Sequence, residues 1–209
     1  MKICIFGADG RTGSEIVKYA KSKGYEITAF VYTGSILSFS SNDIKIIEGD
    51  VLDYHQVLLA CTDVDVIVSA LGHVQGSDPR MQTKGIINIV RAMKEINLTR
   101  IISLTGTGVR VQGDTPSTID KILNYLVTLL DRNRMVDGIE HAKVLQQSGL
   151  DWTIVRVLKL NSSQKSIKNY TLTSGGPAEL LTSRKKVSKV MVDLIEDPRY
   201  SNTLPVVSV

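Results

Sequence analysis

Gly7, Gly10 and Gly13 are spaced three apart in Gly7-Ala8-Asp9-Gly10-Arg11-Thr12-Gly13. An apolar run, residues 2–6, stops at the first of them, and a helical pattern follows the last. That context gives the spacing its chemistry. The first glycine permits a tight strand-to-helix turn. The second lets the backbone approach a pyrophosphate, and the third lets the helix pack closely on the strand. N–H groups at a helix start, with the helix dipole behind them, favour an anion. Arg11 would add a charge and Thr12 a hydroxyl donor, so the loop predicts dinucleotide binding.

The remaining reactive types are sparse. Tyr-x-x-x-Lys would let a lysine lower the pKa of a tyrosine for acid–base work. It occurs at Tyr19 and Lys23, on the first helix, and nowhere after residue 105. There the two simply share a helix face. The histidines are His55, His73 and His141, and the cysteines Cys4 and Cys61. No spacing among them suits a zinc site, so no metal is expected. Two cysteines also exclude a disulfide-stapled fold. Cys4 belongs in a central strand and hence in the core. Cys61 ends a helix with no base near it in sequence. His55 and His141 are expected at the surface of helices, and His73 at the mouth of a substrate site.

The elements that must position these residues alternate between strand and helix. Strands are expected over residues 2–6, 26–32, 44–48, 64–70, 101–104, 151–157, 170–173 and 203–208. Helices are expected over 54–61, 80–97, 117–131 and 134–147. Two more follow the first strand and carry Val187–Ile195. Ile16, Val17 and Ala20 on one side, with Glu15, Lys18 and Lys21 on the other, mark the first helix. Residues 158–169 read as a loop. Alternation of this kind predicts an α/β fold with a parallel sheet.

At 209 residues, with 43% apolar and 22% charged, the chain has ordinary globular composition and suits one domain. Nothing approaches 18 consecutive apolar residues, the length a membrane helix needs. The first residues lack a signal-peptide core, so a cytoplasmic location is expected and the sequon at Asn97 stays unused. Aromatics are 5%. No basic-aromatic platform appears, so no nucleic-acid partner is expected.

Several stretches together resemble the atypical short-chain dehydrogenase/reductases with an NAD(P)H-binding domain, nearest the flavin reductase/biliverdin reductase B branch and the NmrA-like proteins. They are Gly7–Gly13, Gly49–Asp53, Ser69–Gly72, Gly85–Lys94 and Lys143–Thr153, in the family's order over nearly the whole chain. The resemblance implies a Rossmann-type, doubly wound sheet in a single domain, 1–209, with about 158–209 supplying a small substrate lobe. It implies that Asp50 contacts adenine with Val51 beside it. Ala70, Leu71 and Gly72 would line the cofactor, and Thr105 and Gly106 would sit by the nicotinamide. Thr105 takes the place of the family's active-site hydroxyl, and Thr107 shares its loop. Lys159 follows Arg156-Val157-Leu158, where the family usually has Arg-Pro, and would meet the substrate.

Cofactor choice is read at the second strand's end. An acid there would grip a ribose 2′-hydroxyl and repel a 2′-phosphate. The sequence has Val31-Tyr32-Thr33-Gly34-Ser35 instead. The branch's usual arginine at Tyr32 is also missing. With no acid, NADP is expected over NAD, Thr33 and Ser35 donating to the phosphate and Tyr32 stacking on adenine.

Without the tyrosine–lysine machinery, the resemblance implies hydride transfer to a flavin, quinone or similar planar acceptor, where orientation matters more than a dedicated acid. The alternative is a non-catalytic, dinucleotide-sensing regulator of the NmrA kind. Either would be a monomer or homodimer. The net charge of +4 is uneven. From Trp152 to Val190 there are eight bases (Arg156, Lys159, Lys165, Lys168, Arg184, Lys185, Lys186, Lys189) against Glu179, a net +7. That segment is expected to draw in an anionic acceptor such as a flavin phosphate.

Overall fold

In the first strand, β1 (Lys2–Phe6), Ile3 and Ile5 enter one apolar core while Cys4 and Phe6 enter another. Successive strand residues point to opposite faces, so β1 must be covered on both. The computed structural model, which describes every residue except Ser38, Ser40, Ser41, Val74, Gln75, Ser166, Lys168 and Val209, shows how. α1 (Gly13–Ser22) and α6 (Arg184–Asp193) cover the Ile3 face. α2 (Tyr54–Cys61), α3 (Met81–Glu95) and α5 (Arg132–Gln146) cover the Phe6 face.

Between them lies an eight-stranded sheet. Its other strands are β2 (Glu26–Val31), β3 (Ile44–Glu48), β4 (Val66–Ser69), β5 (Arg100–Gly106), β6 (Asp151–Val157), β8 (Thr171–Thr173) and β10 (Val206–Ser208). The order is β3-β2-β1-β4-β5-β6-β10-β8, and only the β10–β8 pair is antiparallel. β1 pairs with β2 on one side and with β4 on the other, Ile5 lying opposite Ala29 and Val68. Strand order reverses here, and connections leaving the carboxyl ends diverge to opposite faces. This leaves a crevice at that edge.

The expected elements form with boundaries shifted by a few residues. The exception is a two-stranded parallel sheet of β7 (Leu160–Asn161) and β9 (Thr182–Ser183). β7 lies in the segment expected to be loop, and two residues per strand show no periodicity. Within 158–209, β8 and β10 join the main sheet and α6 packs on the Ile3 face. Among the described residues, only the β7–β9 pair stands apart from the main sheet.

Two polar anchors organise the crevice rim. α4 (Thr118–Leu130) buries only Asp120, while Ile119, Ile122, Tyr125 and Leu129 are exposed. Asp120 accepts from Thr107 Oγ1 at 2.9 Å and Arg110 Nη2 at 2.7 Å, and Asn124 also donates to it. Thr107, expected near the chemistry, is thus an anchor for α4.

The second anchor is Arg156, fully buried in β6. Its guanidinium bonds Asp114 at 2.5 and 3.0 Å and donates to the carbonyls of Val109, Ser174 and Leu204. It ties three loops at one end of the sheet. Removing one partner of a buried pair strands the other charge, at a cost of about 3–5 kcal/mol. Arg156→Met should therefore lower the urea midpoint by that equivalent, and adding Asp114→Leu should restore part of it. An unchanged midpoint in the single variant would show that the pair contributes nothing.

Candidate functional site

The glycine loop is built by contact between backbones. Gly7 has φ +73°, and a Cβ there would lie 3.1 Å from the Ala70 carbonyl oxygen at the end of β4. A Cβ on Gly13 would lie 1.9 Å from the Gly7 carbonyl oxygen. No side chain fits that gap, so α1 can start directly over the loop only with glycine at 13. Thr12 holds the N-cap position but makes no side-chain cap bond. The first N–H groups of a helix have no partners within it. Here Ser14 N–H donates to the Gly10 carbonyl at 2.9 Å, and among the described residues the N–H groups of Arg11, Thr12 and Gly13 are left without a partner beside a loop that no Cβ fills. An anionic pyrophosphate fits this cradle, with Arg11 beside it.

A cleft of about 730 Å³ opens at the carboxyl ends of the strands. Of the residues expected in the site, Gly10, Arg11, Thr12, Ala70, Leu71, Gly72, His73, Thr105, Gly106 and Lys159 all line it. Thr105 is buried, and among the described residues its hydroxyl has no partner. A Cβ on Gly138 would lie 3.3 Å from Thr105 Oγ1, so α5 passes close behind it. Leu123, Leu126, Val127 and Leu130 of α4 form an apolar wall. The cleft therefore joins a phosphate cradle, a middle with one unspent hydroxyl, and an apolar wall.

The other expected residues lie outside that lining. Gly7, Ala8 and Gly13 build the loop from behind, with Ala8 N–H donating to the Phe30 carbonyl at 3.2 Å. Val51 is buried beneath Gly85. Asp50 accepts from Leu52 N–H at 2.9 Å, and its own N–H donates to Gln56 Oε1 at 2.7 Å. These bonds shape the turn into α2. Tyr32 and Thr33 are exposed beyond β2. Tyr19 and Lys23 meet Asp193 where α1 crosses α6, outside the cleft lining.

Three expectations need correction. The end of β2 does not lack an acid: Asp9 reaches over from the glycine loop. Its Oδ2 accepts from Ser35 Oγ at 2.5 Å and from Tyr32 N–H at 3.4 Å. On the far side of the turn, Glu48 Oε2 accepts from Gly34 N–H at 3.4 Å.

The basic segment is also less available than its count suggested. Arg156 is neutralised in the interior, Lys186 pairs with Glu179 and Lys189 with Asp193. Lys168 lies outside the described residues. The cleft itself receives Lys159 and Arg184 from that segment, joined by Arg11 and Arg134. Burial, and then the charge of Arg11, lowers the pKa of Arg184. Among the described residues neither of these two arginines is paired with a carboxylate.

Finally, His141 is not a surface residue. It is buried on α5, with Nε2 2.8 Å from Ser103 Oγ. Burial pulls its pKa down to about 4 against the opposing charge of Asp137 one turn away. The cysteine thiols are equally withdrawn: both are buried, and burial pushes Cys61 up to about 12.

The residue the sequence reading missed is Asp137. It is fully buried on α5 and faces the start of α3. Its oxygens accept from Gln82 N–H and Thr83 N–H, each at 2.9 Å. Arg80, the N-cap of α3, makes no cap bond of its own, so Asp137 caps that helix from across the fold. His73 Nε2 lies 2.8 Å from Asp137 Oδ2, out of line for a hydrogen bond but in ion-pair contact when protonated. A signal was present: Asp137, His141 and Leu145 recur every four residues, on one helix face.

A parallel sheet with a glycine cradle at its switch point defines a dinucleotide-binding protein. The sequence profile of the NAD(P)H-binding family matches residues 7–198, and the chain belongs to that family. It is similar to YwnB of Bacillus subtilis, 26% identical over 97% of this chain and 95% of that protein. It is also similar to the phenylcoumaran benzylic ether reductase IRL1 of Ginkgo biloba, 30% identical over 96% of this chain and 67% of that one. Among solved structures, a short-chain dehydrogenase/reductase from Veillonella parvula in complex with NADP shares the fold. Its TM-score is 0.82 at 19% identity, covering 100% of this chain and 94% of that one.

The buried His141 has a consequence for stability. Its folded pKa lies below the unfolded value of roughly 6.5. As pH falls from about 6.5 toward 4, the unfolded chain takes up the proton first. Stability is lost across that window by at most about 1.4 kcal/mol per pH unit. His141→Gln should flatten the slope of unfolding free energy with pH between 4 and 6.5. An unchanged slope would mean that His141 is protonated in the folded protein.

Proposed function

We propose that this protein is an NAD(P)H-dependent reductase that passes hydride to a planar acceptor, a flavin, a quinone or a similar conjugated molecule. The observation that carries this is the single cleft running from the glycine cradle past Thr105 to the apolar wall of α4. The cradle would hold the pyrophosphate. Ala70, Leu71, Gly72, Thr105 and Gly106 would bracket the nicotinamide, and the Thr105 hydroxyl would orient it or the acceptor. When bound, the cofactor supplies the hydride, and the chain supplies binding, orientation and exclusion of water. Leu123, Leu126, Val127 and Leu130 of α4 would pack against the acceptor. Arg11, Arg184 and Lys159 would hold an anionic group on it, as on FMN.

The two carboxylates around the turn after β2 bear on the cofactor. Asp9 and Glu48 oppose a 2′-phosphate, and Asp9 is placed to accept from a ribose 2′-hydroxyl. We therefore read NADH as the preferred form, against the choice of NADP suggested by the missing acid. The Ginkgo relative is named a reductase, which supports hydride chemistry in this family.

Fluorescence titration with NADH and NADPH, followed by turnover with FMN, tests the reading. NADH should bind about tenfold tighter or better, and Asp9→Asn should narrow the gap. Oxidation of NADH should require an acceptor. A strong preference for NADPH would contradict the role given to Asp9. Binding without turnover on any flavin, quinone or enone would contradict the reductase and fit a dinucleotide-sensing regulator.

A further inference from the structure

The cleft contains one titratable side chain backed by a buried carboxylate. His73 follows β4 and Gly72 and lines the cleft between the cofactor strands and α5. Its Nε2 lies 2.8 Å from Asp137 Oδ2, where side-chain exposure is 12% for the histidine and 0% for the aspartate. The Gln82 amide donates to that same Oδ2, and the Thr83 amide and hydroxyl donate to Oδ1, so the carboxylate is held in place. From α5, Arg134 reaches the backbone carbonyl of His73 at 3.5 Å. A buried carboxylate in contact with an imidazole restricts how the ring can turn. A histidine so held, facing a cleft, has the construction of a general acid.

We infer that His73 is the proton donor of this site and Asp137 its positioning residue, and that the acceptor is a conjugated carbonyl rather than a flavin. The inference rests on the reductase reading above. It narrows the acceptor because different acceptors need different amounts of help. A flavin that takes hydride at N5 leaves as a reduced anion without an obligatory proton. An enone or quinone does not. Hydride adds at one end of its conjugated system and the electron pair moves to the carbonyl oxygen. That oxygen then takes a proton from a His73 ring nitrogen. The imidazole recovers its proton from solvent. In balance, one reduced dinucleotide and one proton are consumed for each acceptor reduced by two electrons, and one oxidised dinucleotide is released.

The test compares two acceptors, benzylideneacetone (a planar enone) and FMN, each with saturating NADH or NADPH. His73→Gln leaves Asp137 bonded to α3, so it removes the acid without removing the helix cap. Its kcat on the enone should fall by about 10²-fold. That fall should exceed its fall on FMN by at least tenfold, with the dinucleotide Kd little changed. A second readout needs no turnover. With oxidised cofactor bound, benzylideneacetone should shift the imidazole ¹⁵N resonances of His73 but not those of the exposed His55.

Equal losses on both acceptors, no loss on either, a wild-type protein that reduces FMN alone, or unmoved His73 resonances would overturn the proton-donor role and leave the reductase reading standing. A wild-type protein that oxidises the cofactor with neither acceptor would overturn both.

Discussion

The whole site depends on one steric fact: the first turn of α1 rests on the carbonyl oxygen of Gly7. The 1.9 Å that a Gly13 Cβ would leave to that oxygen admits no other residue without moving the helix. Because the helix is seated there, Gly10, Arg11 and Thr12, which lead into it, line the crevice. Gly7, turned to positive φ, brings the same loop within 3.1 Å of the Ala70 carbonyl, measured from where its Cβ would be. Loop, helix start and the end of β4 are thereby one rigid unit. Ser69, Ser103 and Ile154 lie in register across β4, β5 and β6, so Ala70, Thr105 and Val157, which follow them, all come to the carboxyl edge of the sheet beside it.

Around this unit the fold uses buried polar contacts where apolar packing would be ordinary. Asp137 caps α3 from α5. Asp120 anchors α4. Arg156 gathers the loops at one end of the sheet. Each is a buried charge, costly unless its partners are in place. Each also lies at the cleft or just behind it. These contacts fix the position of a wall or a side chain to within a hydrogen-bond length, which apolar packing does less sharply. The exposed apolar residues of α4 follow from the same economy, since the helix is held by Asp120 and not by a buried stripe.

Much of this was legible in the sequence because it is local. The apolar run, the glycine triplet and the amphipathic α1 follow one another within 22 residues and specify strand, turn and helix without reference to anything distant. The long strands and helices announce themselves by periodicity. The β7–β9 pair does not, at two residues a strand. What the sequence concealed was pairing. Asp9 meets Ser35 across 26 positions, and Asp114 meets Arg156 across 42. Until such partners are known, a charge counts as available and a turn counts as lacking an acid. His141 was open to a better reading, for its place on the inward face of α5 was in the spacing, and its polar type outweighed it.

The proposed chemistry requires a dinucleotide lying along the crevice in one direction, and a crystal structure of the protein with NADH tests that most directly. The pyrophosphate should lie against the N–H groups of Arg11, Thr12 and Gly13, since Gly10 N–H donates to the Gly7 carbonyl. The adenosine ribose should lie beside Asp9 and the nicotinamide beside Thr105, with its open face toward His73 and α4. A dinucleotide bound in the reverse direction, or one that leaves the glycine loop empty, would contradict the proposed chemistry.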